Sequence, residues 1–242
     1  MLIGFVSDPH ANLPALEAVL KDVRTVSPDM VVCLGDLVGY GPFPNETVAA
    51  VTAEATQILA GNHDLAVTGE IDPETFNSYA KAAIDWTASA LTPDNTALLR
   101  GFEPTAIFRD HMLAHGSPRR PADEYIVSVN EAHENFKDSH FETAFVGHTH
   151  QPAAFLLRDD DVVSLRPVPG EELAVGSSRA ILNPGSVGQP RDGDPRASWG
   201  VWDEESRNFT VRKVEYPIEQ TQAAILQAGL PELLAWRLGE GR

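Results

Sequence analysis

Three short apolar runs near the start of the chain each stop on polar residues, and this repeated punctuation constrains the fold more than any other feature. Leu2 to Val6 ends at Ser7 and Asp8, Met30 to Leu34 ends at Gly35 and Asp36, and Gln57 to Leu59 leads to Gly61 and Asn62. Short continuous runs of this kind read as strands buried on both faces, as in parallel sheets. The polar residues behind them fall where an open α/β sheet presents its functional groups. A helix separates the first two runs. Asn12 suits its N-cap, Pro14 its first turn, and Pro28 its end, while Leu13, Leu16, Val19, Leu20 and Val23 form one apolar stripe. A second helix over residues 45–55 completes a βαβαβ opening.

Beyond this opening the pattern predicts a long helix over 72–91, a short one over 93–100, strands at 105–108, 111–114 and 144–146, and a helix over 128–139. From Ala153 the strands shorten and take an antiparallel character, at 155–157, 162–165, 180–182, 198–202 and 209–214, before a helical tail over 218–238. Loops near Arg119, Gly170 and Arg191 read as surface excursions inside one domain spanning 1–242.

A formal net charge of -17 removes the electrostatic term that dominates non-specific nucleic-acid binding, which argues against a nucleic-acid-coating role. A local cationic centre made of metal is still able to receive a phosphate. The lone cysteine, Cys33, lies in an apolar run and reads as a small buried hydrophobe in a reducing compartment. No stretch approaches about 18 consecutive apolar residues, and Asp8 interrupts the N-terminal run, so neither a membrane span nor a secretory signal is expected. These features predict a cytoplasmic protein.

Five segments hold nearly all the residues able to bind a borderline metal: Asp8-Pro9-His10, Gly35-Asp36, Gly61-Asn62-His63-Asp64, His115-Gly116 and Gly147-His148-Thr149-His150. Each follows a strand-like run, so a layered sheet is able to bring them to one edge. Imidazoles, carboxylates and an amide oxygen suit Mn, Fe or Zn, whereas calcium prefers an all-oxygen shell and Cys33 alone cannot build a thiolate site. Singly, Asp8 or Asp36 would read as a cap and Asn62 as a turn residue; together with the histidines they read as ligands. His133 and His140 read as surface residues. His115 stands ahead of His111 because it closes its strand beside Gly116.

The order of these segments resembles the D-x-H, G-D, G-N-H-D/E, H and G-H-x-H pattern of metallophosphoesterases related to calcineurin. Residues 36–46 and Asn183 to Gly188 are similar to the small bacterial and archaeal branch. The resemblance implies a four-layer α/β/β/α sandwich holding two divalent metal ions. It assigns Asp8, His10 and His150 to one ion, Asn62, His115 and His148 to the other, and Asp36 to both. It further implies attack on phosphorus by a metal-held hydroxide, with His63 as proton donor to the leaving oxygen. Asp64 is expected to orient His63, and Tyr40, Arg191 and the loop 183–188 to approach the phosphate of a small substrate. A non-catalytic scaffold on the same fold, like the retromer relative, is the alternative, distinguished by an incomplete ligand set. Repair nucleases of the superfamily carry DNA-facing elements for which this length and charge leave little room. Leu37 and Asp64 stand where the protein-phosphatase and dinucleoside-tetraphosphatase branches carry Asp-Arg-Gly and Glu, which turns the expectation toward other small phosphoesters.

Overall fold

The computed structural model describes residues 1–242. The chain opens as β1 (Leu2–Val6), α1 (Leu13–Val26), β2 (Met30–Cys33), α2 (Pro44–Glu54) and β3 (Gln57–Ile58), with β3, β2 and β1 parallel neighbours. Asn12 caps α1, its side chain accepting from the Ala15 N–H at 3.3 Å. Next comes α3 (Asn62–Thr68), which the sequence reading passed over because its polar first turn resembles a strand-end loop.

The expected helix over 72–91 divides in two. Pro73–Thr75 forms one 3₁₀ turn, and α4 (Ser78–Ala90) starts afresh behind Asn77, whose side chain accepts from the N–H groups of Tyr79 and Ala80. An N-cap at this position outcompetes helical continuity through Pro73. The chain continues through α5 (Pro93–Leu99), β4 (Thr105–Phe108), β5 (His111–Ala114), α6 (Val129–Asp138) and β6 (Thr143–Val146). Six further strands follow: β7 (Pro152–Arg158), β8 (Asp161–Leu165), β9 (Glu172–Ala174), β10 (Arg179–Pro184), β11 (Ala197–Asp203) and β12 (Asn208–Val214). The tail is two helices, α7 (Ile218–Gln227) and α8 (Glu232–Glu240), parted at Gly229, whose φ of 72° lies in the left-handed region, and at Pro231.

Two six-stranded mixed sheets result, ordered β3-β2-β1-β11-β12-β9 and β4-β5-β6-β10-β7-β8. The period-2 alternation of each strand decides which core it feeds. Ile3 and Phe5 point from the first sheet toward Leu113, Phe145 and Leu182 of the second, and Phe5 stacks on Phe145 at 3.8 Å. Val6, Val31 and Cys33 point the other way, onto Leu16 and Val19 of α1. On the far side of the second sheet, Ala144, Val146 and Ile181 meet Ala132 and Phe136 of α6. The architecture is therefore the four-layer α/β/β/α sandwich. Trp199 and Trp202 are buried in its cores, and no helix is long and apolar enough to cross a membrane. Because β1 and β2 are parallel in one sheet and β5 and β6 in the other, the loops that leave them emerge where chemistry-bearing side chains are able to meet.

Candidate metal centre

Those loops, together with the first turn of α3, bring Asp8, His10, Asp36, Asn62, His115, His148 and His150 together. Asn62 is partly buried and the others are almost fully so. Asp8, His10, Asp36 and His150 converge as one group able to hold a cation, and Asp36, His115 and His148 as a second, with the ligand atoms of each within 4.8 Å of one another. Asp36 belongs to both. Its Oδ2 lies 3.4 Å from His10 Nε2 and 3.4 Å from His115 Nε2, while its Oδ1 accepts from the His63 backbone N–H at 2.9 Å.

The hydrogen bonding of the rings shows what these groups require. His10 Nδ1 meets the Val38 carbonyl at 3.0 Å, His115 Nδ1 that of Leu34 at 2.8 Å, and His150 Nδ1 that of Gln189 at 2.6 Å. A carbonyl only accepts, so each Nδ1 carries the hydrogen and each Nε2 of a neutral ring presents a lone pair. Yet His10 Nε2 and His150 Nε2 face each other at 3.1 Å, and His150 Nε2 is 3.4 Å from Asp8 Oδ1. His115 Nε2 in turn lies 3.2 Å from Asn62 Oδ1. Asp8 Oδ2 and His148 Nε2 are buried without any partner. Acceptors gathered on acceptors, away from water, are costly unless a cation joins them, and this nitrogen-and-oxygen donor set fits a divalent metal.

Backbone conformation carries a second signature. Asp8, His10, Asp36, His148 and His150 all lie at φ between 47° and 65°, in the left-handed region that side chains other than glycine's rarely adopt. Such positions cost of order 1 kcal/mol or more each and persist where the surroundings over-determine them. Here the surroundings are explicit. Ser186 Oγ donates to the Asp8 carbonyl at 2.9 Å, the Gly188 N–H to the same carbonyl at 3.0 Å, and Asn183 Nδ2 to the Gly147 carbonyl at 2.6 Å. Residues 183–190 are buried, and 187 and 188 spend their N–H groups on the loop after β1, not on an incoming phosphate. The neighbourhood of Gly61 is equally tight: a Cβ there would strike the Asp36 carboxylate.

One expectation about a neighbouring residue is corrected. Asp64 does not hold His63. Its oxygens accept from the backbone N–H groups of Leu37, Val38 and Gly61 at 2.9–3.1 Å, tying the Asp36 loop to the start of α3, and His63 Nδ1 has no hydrogen-bond partner. The His63 ring is held by packing instead, 4.4 Å from Tyr40 and 5.2 Å from Phe76. Arg191 sits over the Tyr40 ring at 5.8 Å and bonds Gln189 Oε1 at 2.8 Å, with no acidic partner. His111 pairs with Glu204 at 3.2 Å, remote from the cluster, and His133 and His140 are exposed.

Tyr125 was not foreseen. It stacks on His148 with ring centroids 3.8 Å apart, from an irregular loop between β5 and α6 that carries no periodic signal.

The electrostatics follow from burial among like and unlike charges. Burial and the neighbouring Asp36 push Asp8 up to about 7, against the pull of His115. Burial acts on Asp36 too, but His115, His63 and His10 hold it well below the usual carboxylate range. Burial opposes charging His115, yet Asp36 raises it to about 9. Burial lowers His63 to about 4 and His148 to about 3, and holds His10 and His150 well below their ordinary value. Burial and Asp36 also push Asp64 up to about 7, against the pull of its three backbone N–H donors, which favour the ionised form.

Residues 1–207 match the model of the calcineurin-like phosphoesterase superfamily domain. The chain belongs to this superfamily. Among its relatives in the calcineurin-like phosphoesterase superfamily, a metallophosphoesterase from Sphaerobacter thermophilus is 42% identical, with a TM-score of 0.90 over 100% of this chain and 99% of that one. The uncharacterized protein MJ0912 of Methanocaldococcus jannaschii is 34% identical over 100% of this chain and 98% of that protein. The phosphodiesterase YfcE of Escherichia coli is 28% identical over 84% of this chain and 88% of that protein. Membership makes this a phosphoesterase-family protein, and its buried Asp and His groups are of the kind that hold the family's metals.

Proposed function

We propose that residues 1–242 act as one domain, a cytoplasmic hydrolase that uses two divalent metal ions to cleave a phosphomonoester or phosphodiester of a small molecule. The observation that carries the reading is the pair of buried aspartate-and-histidine clusters sharing the Asp36 carboxylate. Asp8, His10 and His150 would hold one ion, Asn62, His115 and His148 the other, with Asp36 common to both; the mixed donors favour Mn, Fe or Zn. When bound, the ions would stabilise charge on the phosphate oxygens and make water nucleophilic near neutral pH.

The protein's own groups supply the rest. The carbonyls of Val38, Leu34 and Gln189 fix three ring orientations, so the Nε2 lone pairs are aimed before any ligand arrives. His63 lines the adjoining cavity, with Nδ1 buried against Gly39, which leaves Nε2 to meet the leaving oxygen. Its ring is neutral in isolation, lowered by burial to about 4; a bound anionic phosphate favours the protonated ring and so readies the donor. Asp64 acts as a positioning residue for the loop that carries Asp36. Arg191, free of any carboxylate, is placed to attract the anion past Tyr40.

The test is hydrolysis of an aryl phosphate and of its bis-aryl diester by the Mn-loaded protein, wild type and His63→Ala. The reading expects turnover of at least one substrate, and in His63→Ala an unchanged metal content with turnover lower by about 10²–10⁴, the larger loss falling on poorer leaving groups. Metal loss in His63→Ala would refute the proton-donor role, and full metal loading with no hydrolysis of either ester would favour a scaffold.

A further inference from the structure

Beside the metal centre lies a cavity of about 630 Å³, within the range of about 300–1,000 Å³ usual for small-molecule sites. Its lining is unlike that of a site for a polyanion. Tyr40, Phe76 and Tyr125 contribute aromatic surface, and Asn62, Thr75 and Asn77 contribute neutral polar groups. No Lys or Arg lines it. The one charged carboxylate on its wall, Asp123, sits at the rim, paired with Arg120 at 2.6 Å. A diphosphate or triphosphate tail lying here would find no Lys or Arg on the wall, only Arg191 across the Tyr40 ring and Arg120 already paired with Asp123, fewer free cations than phosphate recognition uses.

The aromatic rings are also arranged as walls rather than as core. Tyr125 is 47% exposed although its ring is stacked on His148, so one face is held while much of the residue stays open. Phe76 stands edge-on to His63 at 5.2 Å and comes from the short segment between the 3₁₀ turn and α4. Packing against His148 and His63 fixes both rings beside the reacting centre without filling the space between the segments that carry them. A preformed aromatic lining of this kind favours a planar apolar group over a flexible polar one, because its ordering is complete before binding.

From this lining we infer that the alcohol half of the substrate is a neutral aromatic or heteroaromatic group, of about nucleoside size or smaller, bearing a single phosphoester at the metal centre. The inference rests on the proposed hydrolase and narrows its substrate class. Aromatic surface on Tyr125 and Phe76 receives the ring, and Asn77 Nδ2, left over when its Oδ1 caps α4, offers a hydrogen bond to its polar edge.

The experiment compares benzyl phosphate with ethyl phosphate, each also as its methyl diester, because both leaving groups are primary alkanols of similar acidity and differ chiefly in the ring. The Mn-loaded wild type is expected to favour the benzyl ester by about tenfold or more in kcat/KM. Tyr125→Ala should bring that ratio toward one through KM, and Tyr125→Phe should keep it. The ratio is insensitive to any common loss of rate that follows from disturbing His148. A wild-type ratio near one, or a ratio that survives in both Tyr125→Ala and Phe76→Ala, would overturn the inference. If no ester is hydrolysed the hydrolase reading fails, and the cavity is judged separately by saturation-transfer NMR with adenosine on the metal-free protein. Transfer to the base protons that is lost in Tyr125→Ala supports the aromatic site, and transfer that is absent or unchanged refutes it.

Discussion

Asn12 joins the loop after β1 to three other parts of the chain, and its replacement tests how that loop is held. Its Oδ1 caps α1 through the Ala15 N–H at 3.3 Å and accepts from Thr221 Oγ1 of α7 at 2.8 Å. Its Nδ2 donates to the Gly188 carbonyl at 2.8 Å and to the Tyr216 hydroxyl at 3.3 Å. The side chain is 1% exposed, so water cannot take over these bonds. Asn12→Ala removes a cap worth about 1 kcal/mol and orphans the Gly188 carbonyl and Thr221 hydroxyl at about 1 kcal/mol or more each. The expected loss is therefore about 3 kcal/mol, or about 6–12 °C in Tm for a chain of this size. Asn12→Asp separates the two contributions, because aspartate caps as well as asparagine but would set a carboxylate oxygen against the Gly188 carbonyl. Urea unfolding followed by circular dichroism should find Asn12→Asp at least as destabilised as Asn12→Ala. A near-neutral Asn12→Asp, or a loss under about 1 kcal/mol in Asn12→Ala, would refute the view that Asn12 is more than a helix cap.

Gly61→Ala places a methyl group on the Asp36 carboxylate and should cut Mn affinity by at least about tenfold, read by titration calorimetry, with a stability cost of about 1–3 kcal/mol. Glu124, held at about 2 by Arg119 with help from Ser117 and Asn135, has a folded value below its ordinary 4.5, so its contribution is present above pH 4.5 and lost as pH falls toward 2. Thermal unfolding should accordingly find wild type more stable than Glu124→Gln at pH 6, with the gap closing at pH 3; a gap independent of pH would remove the carboxylate from the explanation.

The sequence made the sheet core and the order of the candidate ligands legible because both depend on short-range pattern. Apolar runs such as Leu2 to Val6 end at the Asp or His they present, and His115 was separable from His111 by its place at a strand end. Tertiary accounting was not legible. Which atoms occupy the Asp64 carboxylate depends on how the loop after Asp36 folds over α3, and no spacing rule reports that Leu37, Val38 and Gly61 take both oxygens. Tyr125 escaped notice for a similar reason, since its stacking on His148 joins an irregular loop to a distant one. The left-handed conformations at Asp8, His10, Asp36, His148 and His150 were hidden because no glycine marks them. The loop 183–188 was expected to approach a phosphate because its small residues permit close contact, but what they approach is the loop after β1, a partner that no local pattern names.

The shared role of Asp36 is tested most directly by elemental analysis combined with anomalous diffraction on Mn-loaded crystals. The account predicts two Mn ions per chain with Asp36 Oδ2 contacting both, and loss of both ions in Asp36→Ala. A single ion, or a pair of ions coordinated without Asp36, would contradict it.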